Sequence, residues 1–472
     1  MKRSRLLLVV LAVSALALSS LGRGAAPTLA GPLNDGRADL KPVTHPEWSR
    51  NASIYEVNVR QYSPGGTFKE FEEHLPRLRE MGVDILWFMP IHPIGEKNRK
   101  GTLGSYYSVR DYRAVNPEFG TVADFKALVD RIHDMGMYVI IDWVANHCAW
   151  DNPLTLEHPG WLAKDVHGDF VPPNKDWTDV IDIDYSKPGL RRYMIDAMKF
   201  WVEDVDIDGF RCDVAGMVPV DFWNEARAEL DEIKPVFMLA EWESPEHHQY
   251  AFDMTYAWAL HDLMKNLAAR KLPASALAMY VEKEASTYPE DAYRMYFTSN
   301  HDVNSWDGTV FERFGDGAAA FAVLAATLGG MPLVYSGQEA GLDRRLAFFE
   351  KDEIEWREHP FARLYSALLN LKHRNRALWN GMAGGGVKWV HSTNDGAVFA
   401  FVRQRDGDRV FVILNLSDGG QEIGLAGTDH TGHYSQVLPA SSTSEPPVDV
   451  DFTGGEVIEL APWDYRVYSA SE

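Results

Sequence analysis

Short apolar runs alternate with amphipathic stretches from about residue 53 to residue 376. The runs Ile54 to Asn58, Val83 to Met89, Tyr138 to Trp143, Gly209 to Val214, Val236 to Glu241, Ala251 to Met254, Met295 to Ser299 and Pro332 to Tyr335 read as buried strands. Apolar positions recur at helical spacing between most of them: Phe68 to Met81, Val122 to Met135, Gly189 to Asp204, Val220 to Ile233 and Phe361 to Arg374. Strand and helix in turn predict an α/β fold with parallel strands. Eight strands predict closure into a TIM-type (β/α)8 barrel. An open doubly wound sheet is the alternative, but no Gly-rich nucleotide loop follows the first strand.

Two stretches depart from this pattern. His147 to about Asp182 is an aperiodic insertion carrying Trp150, Trp161, Pro172, Pro173 and Trp177. A loop of that length in a compact domain is usually functional. At Trp379 to Gly386 the composition changes. Short alternating runs follow: Val387 to His391, Val398 to Arg403, Val410 to Asn415, Glu422 to Leu425, Val457 to Leu460 and Tyr465 to Tyr468. They are separated by turns such as Asn394-Asp395-Gly396, and predict an all-β sandwich over about 385–472.

Polar residues gather at one end of the predicted strands. Asp213 and Glu241 each close an apolar run. Desolvating a carboxylate is costly, so two of them at successive strand ends point to an acidic site. Asp142, Asn146 and His147 end an upstream strand, and Asn300, His301 and Asp302 end a downstream one. The carboxyl end of the strands is the face where a parallel barrel builds its chemistry. Two neighbouring carboxylates can act as a proton donor and an anion if their environments push their proton affinities apart. Arg211 lies two residues before Asp213, on the same strand face. Its fixed charge is expected to keep Asp213 ionised, as a nucleophile. Glu241 has no basic neighbour in sequence and is the better acid, with Glu243 as the rival.

The formal net charge of -22 argues against nucleic acid as a partner. It is read as a solvated face, with adaptation to salt as the alternative. At 472 residues, 46% hydrophobic and 24% charged, the chain is long and apolar enough for a globular protein with more than one domain. Lys2, Arg3 and Arg5 precede an apolar stretch, Leu6 to Leu18, and Thr28-Leu29-Ala30 offers a cleavage site. Residues 1–30 therefore read as a signal peptide, with a retained anchor as the alternative. Cys148 and Cys212 are expected to be buried free thiols. The histidines lack zinc spacing.

The strand-end segments resemble the signature regions of the α-amylase family, glycoside hydrolase family 13. Asp142-x-x-x-Asn146-His147, Gly209-x-Arg211-x-Asp213, Glu241 and Asn300-His301-Asp302 fit in type and order, and so do Gly82 to Pro90, Ile181 to Asp184 and Gly330 to Glu339. The resemblance implies a barrel at residues 31–146 and 183–380, with domain B at 147–182 and a C-terminal domain over 385–472. It implies Asp213 as nucleophile, Glu241 as acid, and Asp302 as a third carboxylate that binds sugar hydroxyls. His147 and His301 would donate to the same sugar. Tyr107, in the stretch Gly104 to Tyr112, would stack its ring on that sugar, its hydroxyl in water. Asn146 and Asp182 resemble ligands of a structural Ca2+. Gly216-Met217 stands where family amylases often carry Lys-His, which leaves calcium and acceptor contacts open. The expected protein is an exported, monomeric, retaining glycosidase acting on α-1,4-glucans, extracellular or periplasmic, with no membrane contact after cleavage. An α-glucosidase or 4-α-glucanotransferase of the same family is the alternative, and a non-catalytic glucan-binding relative a more distant one.

Overall fold

The structure is a computed structural model and describes residues 40–438 and 448–470. The signal-peptide reading at 1–30 lies outside the described residues. Ten strands span the first part of the chain: β1 (Ile54–Val57), β2 (Ile85–Phe88), β3 (Tyr138–Trp143), β4 (His147–Ala149), β5 (Val180–Asp182), β6 (Gly209–Cys212), β7 (Phe237–Ala240), β8 (Met254–Tyr256), β9 (Tyr293–Phe297) and β10 (Met331–Tyr335). All but β4 and β5 close into a parallel barrel in the order β1-β10-β9-β8-β7-β6-β3-β2.

Strand alternation sorts the side chains into two layers. Ile54, Ile85, Trp87, Ile140, Phe237, Leu239, Met254, Tyr256, Met295 and Leu333 fill the barrel interior. Tyr55, Leu86, Phe88, Ile141, Phe210, Cys212, Met238 and Val334 face the surrounding helices. Cys212 thus points away from Arg211, and both cysteines are buried and free.

Two expectations need correction in detail. The strand read at Ala251 to Met254 forms instead at Met254–Tyr256. Asp253 holds the preceding turn, accepting from Arg227 Nη1 at 2.8 Å and the Met238 amide at 2.7 Å. The helix read over Phe68 to Met81 is two, Phe68–Glu72 and Leu75–Met81, because Pro76 has no amide to continue the first and suits the start of the second.

The insertion folds onto β4 and β5, an antiparallel pair that aligns His147 with Asp182. The C-terminal strands are β11 (Val387–Val390), β12 (Val398–Arg405), β13 (Asp408–Asn415), β14 (Gln421–Gly424), β15 (Gly432–Leu438), β16 (Asp449–Phe452), β17 (Val457–Leu460) and β18 (Tyr465–Ala470). They form a six-stranded sheet, β11-β12-β13-β18-β15-β16, and the pair β14-β17. The two share a core that includes Val398, Ala400, Phe411, Ile413, Ile423 and Ile458. The opposite face of the large sheet, with Phe399, Phe401, Val410 and Val412, joins the core of the barrel helices. The sequence reading missed β15 and β16. Only Tyr434, Leu438 and Phe452 of this hairpin are buried, so its polar positions mask the alternation. No helix among the described residues is long and apolar enough to cross a membrane.

Candidate active site

Alternation aims Glu56, Asp142 and Arg211 into the barrel from β1, β3 and β6. Arg211 is fully buried and binds carboxylates on either side. Its Nη1 donates to Asp142 Oδ1 at 2.8 Å and to Asp213 Oδ1 at 2.9 Å. Its Nη2 pairs with Glu241 Oε2 at 3.0 Å. Glu241 has no basic neighbour in sequence, but the fold supplies one in Arg211. The parallel register of β6 and β7 sets Arg211 opposite Leu239 and Cys212 opposite Ala240, so Asp213 and Glu241 leave adjacent strands at the same level. Arg211 reaches both.

One cation among three buried carboxylates separates their proton affinities. Burial lifts Asp213 to about 6 against the pull of Arg211. Burial lifts Glu241 further, to about 8, again against Arg211 and with repulsion from Asp213 and Asp302. Arg211 therefore moderates Asp213 rather than holding it at an ordinary carboxylate value. Of the two, Glu241 is raised the further, in the same order as the sequence reading. Val214, just past Asp213, takes the left-handed conformation at φ 37° and ψ 47°. This is strained for a β-branched residue, and its amide donates to Glu241 Oε2 at 2.8 Å. Glu243 belongs elsewhere: it binds Arg294 Nη2 and accepts from the Ala259 amide at 3.1 Å.

The second half of the site is built on His301. Its Nδ1 faces Glu56 Oε1, and its Nε2 lies 3.2 Å from Asp302 Oδ2. The Tyr107 hydroxyl is 2.7 Å from the same Nε2 and donates to Asp142 Oδ2 at 3.0 Å. The expectation of a wet hydroxyl is thus overturned, because two polar partners inside the barrel draw the ring inward. Burial opposes a charge on His301, but Asp302 and Glu56 carry it well above its ordinary value. Burial would raise Asp302, yet His301 holds it below the usual carboxylate range. His147 lies with Nε2 3.9 Å from Asp213 Oδ2, and burial lowers it to about 3, which leaves it neutral.

Asn146 and Asp182 adjoin through the β4–β5 ladder, where the Ile183 amide donates to the Asn146 carbonyl at 3.1 Å. Burial lifts the Asp182 carboxyl, and the nearby Asp184 charge adds to this. An amide oxygen and an uncompensated carboxylate have the chemistry of calcium ligands. No three His, Cys, Asp or Glu side chains gather as a metal cluster among the described residues.

Sequence reasoning missed Glu56, Trp87, Trp177 and Phe348. Trp87 Nε1 donates to Asp142 Oδ2 at 3.2 Å. Trp177 packs on the His147 ring at 5.3 Å, and Phe348 stacks on Tyr107 at 6.1 Å. For Glu56 the signal was present, since a carboxylate inside the apolar run Ile54 to Val57 meets the same test that singled out Asp213. Trp177 and Phe348 come from loops, where no periodicity marks them, whereas Trp87 lies inside the apolar run of β2, where it reads as ordinary core.

The α-amylase catalytic-domain family model matches residues 34–159 and 155–384. This chain belongs to the α-amylase family. It is a glycoside hydrolase of that type. The maltogenic α-amylase AmyB of Thermotoga neapolitana superposes with a TM-score of 0.78 at 31% identity, over 89% of this chain and 99% of that one. An α-amylase from Lactobacillus plantarum gives 0.78 at 30% identity, over 90% and 99%. The α-amylase MalA of Haloarcula japonica is 27% identical over 88% of this chain, and the chain spans 63% of MalA's length. Other α-amylase-family relatives are named cyclomaltodextrinase and α-1,4-glucan:maltose-1-phosphate maltosyltransferase.

Proposed function

We propose that this chain is an exported, retaining glycosidase that hydrolyses α-1,4-glucosidic bonds in starch-like glucans and malto-oligosaccharides. The observation that carries the reading is the pair Asp213 and Glu241 on adjacent strand ends, shared by one guanidinium and split in proton affinity. Neighbouring strands run about 4.8 Å apart, close to the roughly 5–5.5 Å between carboxyls in retaining enzymes. In the first step Asp213 attacks the sugar carbon while Glu241 gives its proton to the leaving oxygen. In the second, Glu241 takes a proton from water, whose oxygen displaces Asp213 from that carbon. His147, His301 and Asp302 hold sugar hydroxyls. Proton NMR of fresh products is expected to show the α-anomer first, and initial β-anomer would overturn the mechanism.

Chain-length preference follows from the loops. The insertion between β3 and β6 is short, which leaves one cleft wall open to the middle of a polymer. The segment 343–356 works the other way. Leu346 donates its amide to Asn304 Oδ1 at 2.9 Å, and Gln61 Nε2 donates to the carbonyls of Ala347 and Glu350 at 2.9 and 2.7 Å. Phe348 is thereby held against Tyr107. A barrier there favours the second reading, an α-glucosidase-like or transferring enzyme with small products. Mixed oligosaccharides in the first minutes of starch digestion support the endo reading. A single dominant small product supports the second. A structural Ca2+ at Asn146 and Asp182 belongs to the same proposal, and so does export through the basic and apolar start at Lys2 to Leu18.

A further inference from the structure

Glu56 is fully buried on β1. Its backbone carbonyl accepts from Ser336, which ties β1 to the end of β10. Its Oε1 faces His301 Nδ1, and its Oε2 has no partner among the described residues. The other ring nitrogen of His301 faces Asp302 Oδ2 and the Tyr107 hydroxyl. A neutral imidazole donates from one nitrogen only, whereas the imidazolium donates from both. With a carboxylate on each nitrogen, the doubly donating form is the one that satisfies the geometry. We propose that Glu56 is a positioning residue: it fixes His301 as an imidazolium whose Nε2–H is presented to Asp302 and to the sugar.

The proposal rests on the reading of His301 as a sugar contact. It adds how that contact is charged and aimed. Several groups bear on the ring. Glu56 on β1, Asp302 on the ring's own segment and Asp142 on β3 favour the cation. Arg211 on β6 opposes it. Tyr107, Tyr256 on β8 and Tyr335 on β10 are neutral, since burial raises all three hydroxyls well above their ordinary value. Removing the Glu56 charge leaves Asp302 to hold the cation against Arg211 and burial. Asp302 must also serve the substrate, so the ring would lose its proton on the alkaline side.

The test compares wild type, Glu56→Gln and Glu56→Asp by histidine-selective NMR titration and by pH profiles of kcat and KM on maltotriose. His301→Asn assigns the resonance. In wild type, His301 should remain a cation from pH 5 to pH 8. In Glu56→Gln its titration should fall by at least one pH unit. The alkaline limb of kcat/KM should follow it, giving at least a tenfold deficit at pH 8 that nearly vanishes at pH 5. Glu56→Asp should restore part of the shift. A neutral His301 in wild type at pH 7 overturns the proposal, and this reading needs no variant to fold. A loss in Glu56→Gln that is uniform with pH, over an unmoved His301 titration, overturns it also, because Glu56 would then be structural. If wild type turns over no glucan, the functional reading fails while the titration still decides the role of Glu56.

Discussion

At the scale of single residues the site is a problem of charge accounting. One guanidinium meets Asp142, Asp213 and Glu241. Burial penalises every charge there, so one guanidinium shared by three carboxylates does not hold them all at an ordinary carboxylate value. Glu241 stays protonated most readily and Asp213 less so, which is the division of labour that glycoside cleavage requires. The sign of the pH dependence follows. In the proposed mechanism Asp213 works as the anion, so activity should fall as pH drops through about 6. In the same mechanism Glu241 works protonated, so activity should fall as pH rises through about 8. A plot of kcat/KM against pH should be a bell with its plateau between these limbs. A flat profile to pH 10 would mean that another group supplies the proton. Glu241→Gln keeps the shape and removes the proton, so kcat should fall by about 10²–10⁴ with glucan binding retained. Near wild-type turnover would return attention to Glu243, although its bond to Arg294 already occupies it.

At the scale of elements, the barrel was legible because its strands carry apolar runs and several of the site carboxylates lie at or just past the ends of those runs. The strand-end rule found Asp142, Asp213, Glu241 and Asp302. It passed over Glu56 because that residue lies inside its run, and it could not foresee that Arg211 bridges two strands. The Tyr107 hydroxyl was misjudged for a related reason. Burial of a loop side chain depends on tertiary partners that sequence spacing does not carry. The register of β6 against β7 is what sets the Asp213 and Glu241 carboxyls side by side, and Gly209 starts that register. It has φ +150°, and a Cβ there would lie 1.9 Å from the Phe237 carbonyl oxygen. Gly209→Ala should therefore cost more than about 4 kcal/mol and separate β6 from β7. The expected result is loss of soluble folded protein. A variant with a wild-type melting point would show that β6 and β7 tolerate a different spacing. On β4 and β5, calcium at Asn146 and Asp182 should raise the melting point by mass action, equivalent to about 2.7 kcal/mol at 100 times Kd. An unchanged melt with and without chelator would remove calcium from this protein.

For the whole molecule, the C-terminal sheet meets the barrel away from the catalytic face. Asn380 Nδ2 donates to the carbonyls of Ser49 and Ala52, just before β1 begins, at 2.8 and 3.1 Å. Arg403, on β12, donates to the carbonyls of Gly385, Thr327 and Trp379 at 2.8, 3.2 and 3.0 Å. Thr327 ends the helix that leads into β10, so this joint also lies at the amino end of the strands, opposite Asp213 and Glu241. The sequence showed a composition change at Trp379 to Gly386 but not this joint, since a lone Arg in an apolar strand gives no sign of three carbonyl partners. Burial lowers the Arg403 guanidinium to about 10, which still leaves it charged at neutral pH. Arg403→Ala would strand three carbonyls, at about 1–3 kcal/mol for each that finds no water. The melting midpoint should fall by several degrees in calorimetry. Because β12 and β13 share one apolar core with the barrel helices, unfolding should remain a single transition. Below the midpoint kcat and KM should stay within about twofold of wild type, since perturbations at distant sites with no shared partners stay nearly independent. A split into two calorimetric transitions would mean that the sheet is a separate folding unit. A large change in KM at 25 °C would mean that the joint reaches the catalytic face through the β10 end of the barrel, where Ser336 meets Glu56.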